Sequence, residues 1–500
     1  MAKTLNFVET TTRDGSQSNW AAGMPIGMME AILPDIDKAG FRSICCPLMQ
    51  LQFKKIIRDL KEDPWEMIRM FAEKAPRTKK GCILQPSLWP FDIVNYNREA
   101  VELFMRKLVE MGALQRVQIT GTGMGHKHYN TFVPFCKSLG LEVAFALCYY
   151  TAPRYTDEYY AEKTRLMVDY GADVMYLKDA GGLLDQENTR RVFNIMKANC
   201  GDLPTEIHSH CTTGLADPSY VEAMKCGCDI FHVAIPPLSD GTAQPSVFNV
   251  ADNAKALGFE VNLDLDRLQH VSKKLYAMAK EAGLPTFGPT RYNVNQYIHR
   301  VPGGVISNMT HQLKELHIED RVEEVEEECV RICAETGEPQ MITPYSQFVC
   351  TQAAINVALG ERYKVVIDEY INFALGNYSE DSGYLDMDPN LRDYFLSLPR
   401  AKELAELTKA QEIAQEMPLE EFRKQFGDNL SDEEFLLRYI MNGTKEIDIM
   451  REATKDRPWR TFSGVDSPIL DLIDGLDKQP KLTKIAVSSG DSSITLKRSL

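Results

Sequence analysis

The sequence lacks the marks of several large protein classes. No stretch approaches the ~18 apolar residues that a membrane span requires, and the first ten residues, MAKTLNFVET, contain no apolar leader. There is no arginine-rich run, and 56 Lys and Arg against 71 Asp and Glu give a net charge of −15, which disfavours nucleic acid as a partner. We therefore expect a cytoplasmic protein without a membrane span, whose partners are small molecules or other proteins.

The 12 cysteines form no C-x-x-C pair. Apart from an adjacent pair at 45–46 and a C-x-C at 226–228, they are scattered, which indicates neither a disulfide framework nor a zinc knuckle. We interpret them as reduced, structural thiols. Cys211 is the one to inspect separately, because it lies inside a motif described below.

Eight short apolar runs rich in Val and Ile alternate with segments of helical periodicity over about 240 residues. The first run ends in TTRDGSQ, not in the Gly-rich phosphate turn that an open doubly wound sheet normally carries. This alternation predicts an α/β fold, a closed (β/α)8 TIM barrel. The runs are 5–11, 42–48, 81–88, 116–121, 142–149, 174–180, 205–210 and 230–236.

After about residue 290 the pattern changes to long amphipathic helices with few strand-like runs. We therefore predict a barrel over residues 1–297 and a mainly helical C-terminal domain over 298–470. The last stretch, 471–500, is rich in Ser and Lys with weak periodicity, which predicts a loosely ordered tail.

Polar residues follow three of the predicted strands, at the end of a barrel where active sites are built. His208 and His210 lie two apart on a strand, so both imidazoles emerge on one face, as two ligands of one divalent ion would. Asp14 after the first strand offers an oxygen ligand. Lys178 after the sixth strand is either a salt-bridge partner of Asp179 or, if carbamylated by carbon dioxide, an anionic oxygen ligand. Two polar residues closing a loop remain the alternative for the histidines alone.

The ordered motifs resemble the carboxyltransferase domains of pyruvate carboxylase, oxaloacetate decarboxylase and the methylmalonyl-CoA/pyruvate transcarboxylase. The likeness extends from about residue 5 to 390 and implies that the helical domain is the family's funnel. The motifs that carry it are 11–17 (TTRDGSQ), 62–65 (EDPW), 178–181 (KDAG), 208–214 (HSHCTTG), 241–245 (GTAQP), 301–304 (VPGG), 343–347 (TPYSQ) and 360–363 (GERY).

The resemblance implies a metal-stabilised enolate that exchanges a carboxyl group with biotin. A divalent metal (Zn, Co or Mn) would be held by Asp14, carbamylated Lys178, His208 and His210. Arg13 and Gln17 would hold the substrate's oxygen, and Thr242 would move a proton between biotin and the substrate carbon. Without the resemblance, Thr242 has an equally simple interpretation as the hydroxyl of a turn.

The acceptor side departs from the family pattern. Lys54 stands where relatives have an aspartate, and Gln85 stands where relatives have the arginine that clamps a keto acid's carboxylate. Strand 4 reads VQITGT at 117–122 in place of an apolar-Phe-Asp stretch. Because a buried carboxylate without a partner costs on the order of several kcal/mol, we expect an acceptor other than pyruvate, an oxo acid or a related small compound.

Neither a biotinyl Met-Lys-Met motif nor an ATP-grasp region is found, so we expect biotin on a separate biotin carboxyl carrier protein. A biotin carboxylase or second carboxyltransferase subunit, and self-association into a homodimer or higher, complete the expected partners. Three alternatives stay open: a pyruvate/oxaloacetate carboxyltransferase despite the altered pocket, a metal-dependent aldol or Claisen lyase or synthase of the same barrel, and a non-catalytic metal-containing scaffold.

Overall fold

The computed structural model describes residues 3–84, 97–120, 128–302, 305, 309, 313, 319–342, 344–378, 380–457, 459–462, 484–489 and 492–497.

Eight parallel strands, one from each predicted apolar run, close into a barrel. Each strand pairs with the next along the chain, and β1 pairs with both β8 and β2, so the sheet has no free edge. The predicted barrel is confirmed. A short strand, β9 (Glu260–Val261), adds to the start of β1. The barrel strands are β1 Thr4–Glu9, β2 Ser43–Cys45, β3 Lys79–Ile83, β4 Arg116–Thr120, β5 Glu142–Cys148, β6 Val174–Asp179, β7 Thr205–Ser209 and β8 Ile230–Val233.

Helices follow the strands and cover the barrel. Side-chain caps begin many of them; Asp185, for example, accepts from the backbone N–H of Asn188. The helices of the barrel region are α1 Ser16–Asn19, α2 Ile26–Lys38, α3 Gln50–Lys55, α4 Pro64–Lys74, α5 Arg98–Glu110, α6 Tyr129–Ser138, α7 Asp157–Asp169, α8 Gln186–Asn199, α9 Ala216–Lys225, α10 Val247–Ala256, α11 Leu265–Ala282 and α12 Asn295–His299, with π-turns at Thr11–Gly15 and Ile56–Leu60.

The C-terminal region is helical, as predicted, and packs on the barrel. The indole of Trp65 on α4 donates to the Glu433 carbonyl at 3.2 Å, and Tyr155 after β5 donates to the Glu338 carbonyl at 3.0 Å. Its helices are α13 Val322–Glu335, α14 Tyr345–Leu359, α15 Asp368–Leu375, α16 Pro389–Ser397, α17 Pro399–Gln415, α18 Leu419–Lys424, α19 Asp432–Met441 and α20 Lys445–Ala453, with 3-10 turns at Glu319–Arg321, Glu380–Ser382 and Tyr384–Asp386.

The tail that was expected to be loosely ordered contains one regular element. β10 (Lys484–Ser489) and β11 (Ser492–Lys497) form an antiparallel pair, which the weak periodicity of the tail did not predict. Within the described ranges, no helix combines the length and apolar character that would let it cross a membrane.

The interior of the barrel is polar where large apolar side chains usually fill it. Arg116 on β4 is completely buried, and its guanidinium donates to Glu206 on β7 at 2.5 Å and to Glu142 on β5 at 3.1 Å. Gly81 on β3 makes room for it, since a Cβ there would lie 3.3 Å from the Cβ of Arg116. The ion pair therefore replaces part of an apolar core.

Candidate metal centre

Asp14 lies in the π-turn that follows β1. The N–H groups of Asp14 and Gly15 both donate to the Thr10 carbonyl, at 2.8 and 3.0 Å, which curls the chain tightly into the barrel mouth. A Cβ on Gly15 would lie 2.9 Å from the Leu238 carbonyl oxygen, so only glycine allows this turn to approach the loop after β8. The turn thus fixes the carboxylate at the centre of the mouth.

His208 and His210, at the end of β7, point their Nε2 atoms toward the same carboxylate oxygen. Asp14 Oδ2 lies 3.0 Å from His208 Nε2 and 3.7 Å from His210 Nε2, and the two nitrogens lie 3.3 Å apart. An ion bound tetrahedrally at ~2.1 Å from each ligand separates the ligand atoms by about 3.4 Å. The three residues therefore fit a divalent cation, and they form a potential metal-ligating group among the described residues.

The ring hydrogen bonds of His210 agree with this interpretation. Its Nδ1 lies 2.6 Å from the Thr242 carbonyl oxygen, a pure acceptor, so Nδ1 carries a proton and the neutral form of the ring has its lone pair on Nε2.

Gln244, buried in the loop after β8, marks the point on which the ligand atoms converge. Its amide nitrogen lies 3.2 Å from Asp14 Oδ2, 3.3 Å from His208 Nε2 and 3.2 Å from His210 Nε2. One hydrogen-bond donor thus faces three acceptor atoms. A cation site requires such a group of acceptor atoms directed at one point.

Electrostatics favour the charge states that a cation needs. Although burial alone would raise it, the pKa of Asp14 is held well below its usual range by the charge of Arg13 and by the two histidines. Burial lowers the pKa of His208, which keeps its imidazole neutral. The site therefore offers a carboxylate and neutral nitrogen to an ion.

Lys178 is the last residue but one of β6, in register with His208 on β7. Desolvation lowers the pKa of its ammonium group. Its neighbour Asp179 is not its salt-bridge partner: the Asp179 carboxylate accepts from the N–H groups of Leu183 and Leu184, both at 2.8 Å, and from Ser209 Oγ at 2.7 Å. Successive side chains of a strand point to opposite faces, which separates the two residues. The salt-bridge interpretation of Lys178 is therefore wrong.

Arg13 and Thr242 flank the metal-ligating group. The Arg13 guanidinium lies 3.2 Å from Asp14 Oδ2, and its Nε donates to Cys45 Sγ at 3.2 Å. The Thr242 hydroxyl donates to the Ser18 carbonyl at 2.8 Å or to Asn19 Oδ1 at 3.1 Å, which joins the loops after β1 and β8. A cation-binding group, a buried guanidinium and a hydroxyl thus share one mouth.

The barrel and the helical region of the chain each match a model of a known protein family. A model described as HMGL-like matches residues 124–275 in the barrel, and one described as a conserved carboxylase domain matches the helical residues 297–464. A pyruvate carboxylase subunit of Methanocaldococcus jannaschii is 32% identical over 75% of this chain and 66% of its own length. The methylmalonyl-CoA carboxyltransferase 5S subunit of Propionibacterium freudenreichii subsp. shermanii is 30% identical over 77% of this chain and 75% of its own.

The chain belongs to the family of biotin-dependent carboxyltransferases. The resemblance predicted from the motifs is thereby confirmed. The carboxyl transferase domain of pyruvate carboxylase from Rhizobium etli has the same fold, with a TM-score of 0.80 at 21% identity over 91% of this chain and 78% of that one. The chain spans about two thirds of the length of the M. jannaschii relative.

On the acceptor side, this carboxyltransferase brings together only some of the expected residues. Gln17 Oε1 accepts from the amide of the buried Gln52 on α3 at 3.0 Å. Lys54, on the same helix, is half-buried. Gln85 lies outside the described residues.

The motifs did not reveal every polar residue at this centre. Gln244 belongs to the GTAQP motif, but the motif predicted no role for it. Three buried residues in the strands behind the ligands lie outside every motif: His232, Glu206 and Arg116. An inward-facing histidine within the apolar run of β8 was the available signal. Cys211, by contrast, is a buried thiol whose pKa burial raises well above its ordinary value, which disfavours the thiolate, and all 12 cysteines are free.

Proposed function

We propose that this protein is the carboxyltransferase subunit of a biotin-dependent enzyme, moving a carboxyl group between carboxybiotin and a small oxo-acid acceptor. The observation that carries the proposal is the convergence of Asp14, His208 and His210 on one point beside the Arg13 guanidinium. Family membership supports the reaction class, and this geometry favours the barrel mouth as its location.

The proposed cofactor is a divalent ion, zinc, cobalt or manganese, held by Asp14, His208, His210 and carbamylated Lys178. When bound, the ion supplies a Lewis acid that polarises the acceptor's carbonyl oxygen. Desolvation favours the neutral amine of Lys178. That amine can attack carbon dioxide, forming an N–C bond and releasing a proton, and the product is an anionic oxygen ligand.

Three side chains would act on the acceptor directly. The buried guanidinium of Arg13 faces the oxygen on which negative charge develops. Gln17 can donate through its amide N–H groups because its oxygen already accepts from Gln52. The Thr242 hydroxyl, which now donates to the Ser18 carbonyl or to Asn19 Oδ1, would carry a proton between biotin and the acceptor carbon.

The acceptor is proposed to be an oxo acid other than pyruvate. In this proposal the half-buried residue Lys54 and the Gln17–Gln52 amide pair would line the acceptor site in place of an arginine clamp, and Gln85 is included from sequence alone. A carboxylate placed farther from the reacting carbon would bring its charge to Lys54. Transfer to pyruvate or from oxaloacetate is the alternative acceptor assignment.

Biotin would arrive on a separate biotin carboxyl carrier protein, and a biotin carboxylase or second carboxyltransferase subunit would supply or take the carboxyl group. A homodimer or higher assembly, a cytoplasmic location and domain limits at 1–297, 298–470 and 471–500 stay predictions of the sequence. Copurification of a small biotinylated chain would support the partner assignment.

The test combines the purified chain with a biotinylated carrier and a panel of oxo acids, including pyruvate, oxaloacetate and 2-oxoglutarate. We expect transfer to an acceptor other than pyruvate, loss of transfer in Thr242→Ala and partial retention in Thr242→Ser, which keeps the hydroxyl. Brisk turnover of pyruvate or oxaloacetate would refute the acceptor assignment, and an unchanged rate in Thr242→Ala would refute the role of the hydroxyl.

Two other functions compete with this proposal. An aldol or Claisen lyase would use the same barrel, but the carboxylase model's match over the helical residues 297–464 favours carboxyl transfer. A scaffold would bind metal stoichiometrically without exchanging the acceptor's protons. Proton exchange between an oxo acid and deuterated water, catalysed by the chain alone, would exclude the scaffold.

A further inference from the structure

A line of buried polar side chains runs behind the metal ligand His208. His208 Nδ1 lies 3.0 Å from His232 Nδ1, and His232 Nε2 lies 2.8 Å from Glu206 Oε2. The same carboxylate oxygen accepts from Arg116 at 2.5 Å. All four side chains are at most 1% exposed. The ring of Tyr176 stacks on His232 at 5.6 Å between centroids, which holds the imidazole plane.

Counting protons along this line gives it a direction. Glu206 pairs with the Arg116 guanidinium and is an acceptor, so His232 donates to it through Nε2. A neutral imidazole has one proton, which leaves a lone pair on His232 Nδ1 to accept from His208 Nδ1. The single proton of a neutral His208 ring is then on Nδ1, where it is donated to His232. The lone pair of His208 Nε2 therefore faces Asp14 and His210.

We propose that His232 and Glu206 are positioning residues of the metal centre, acting as a buried relay that holds His208 in the tautomer that can bind a cation. The proposal rests on the metal-dependent function proposed above. Arg116 orients the relay because it fixes the acceptor at its inner end, and its other terminal nitrogen, Nη1, donates to Glu142 at 3.1 Å. Removing the hydrogen-bond partner of a ligand histidine typically lowers the metal affinity of the site 10–100-fold.

The test uses two substitutions of similar size, His232→Asn and His232→Leu. In His232→Asn the side-chain Oδ1 can take the place of Nδ1, since both atoms are bonded to Cγ, and so preserves an acceptor for His208 Nδ1. Leucine offers none. In Co²⁺ titrations of metal-free full-length protein, followed by the visible absorption of the bound ion, we expect affinity to fall by roughly 10–100-fold in His232→Leu and by less than about threefold in His232→Asn.

Equal affinities in all three proteins, or equal losses in both variants, would overturn the proposal, because a purely structural histidine gives no difference between Asn and Leu. Wild-type protein that bound no Co²⁺ would refute the metal centre and the relay together, whereas binding unaffected by His232→Leu refutes the relay alone.

A second measurement does not depend on the variants folding. In ¹⁵N-histidine-labelled, metal-free wild-type protein we expect nitrogen chemical shifts with the proton of His208 on Nδ1 and that of His232 on Nε2. The opposite placement in either ring would refute the relay.

Discussion

Replacing Arg116 by methionine should show how much the ion pair inside the barrel contributes to the free energy of unfolding. Methionine keeps much of the aliphatic stem but removes the guanidinium that holds Glu206 at 2.5 Å. The Glu206 carboxylate is completely buried and would keep His232 as its donor among the described residues. Breaking a buried pair by removing one partner costs about 3–5 kcal/mol, because an uncompensated charge stays behind.

This cost converts into a measurable shift in melting temperature. With an unfolding entropy of about 2.1 cal/mol/K per residue over the roughly 300 residues of the barrel, Tm should fall by about 5–8 °C. Arg42→Met is the matched control: Arg42 also pairs with Glu142, at 3.0 Å, but its side chain is 20% exposed. Such a pair contributes at most about 1 kcal/mol, so Tm should fall by less than about 2 °C.

Calorimetry of the metal-free proteins measures the decrease in Tm for Arg116→Met and for its control, Arg42→Met. Adding Glu206→Gln to Arg116→Met should recover part of the lost Tm, since no unpaired charge then remains in the core. The reasoning fails if Arg116→Met lowers Tm no more than Arg42→Met does, or if the second substitution lowers Tm further.

Three further outcomes follow from the geometry. Burial raises the pKa of Glu9 from 4.5 to about 7, so folding becomes costlier as pH rises from 4.5 to about 7; relative to Glu9→Gln, the wild type should lose about 2 kcal/mol between pH 5 and pH 7, and a pH-independent gap in Tm would contradict this. With ¹³C-bicarbonate, wild-type protein should show a carbamate resonance that Lys178→Gln lacks; identical spectra would refute carbamylation. Gly81→Ala should cost about 1–3 kcal/mol through its contact with Arg116, whereas Gly288→Ala, whose Cβ meets nothing within 4 Å, should be neutral, and equal Tm values would show that the contact is unimportant.

The barrel could be predicted from the sequence because parallel barrel strands are buried on both faces and appear as continuous apolar runs. All eight runs became strands, although β2 shrank to Ser43–Cys45. The potential metal-ligating group could also be predicted from the sequence, since an H-x-H on one strand and an Asp after another strand are local patterns. They meet because all parallel strands end at the same mouth.

The relay behind His208 could not be predicted in the same way. Arg116, Glu206 and His232 each occur in a separate apolar run, and whether their side chains meet depends on the stagger of three strands around a closed sheet. The side of β6 on which Lys178 lies was equally undecided, because a one-residue change of register exchanges its position with that of Asp179.

The candidate cation site and the proposed acceptor residue Lys54 follow different strands of the barrel. Asp14, His208, His210 and Thr242 lie at or just after the ends of β1, β7 and β8, which are neighbours in the sheet. Lys54 lies on α3, which follows β2. Since the proposed relay holds His208 from β4, β7 and β8, we expect a substitution of Lys54 to leave the ligands and their hydrogen bonds unchanged. The proposal therefore predicts that acceptor choice and metal binding are separable: exchanging Lys54 should alter KM for the acceptor without altering Co²⁺ affinity.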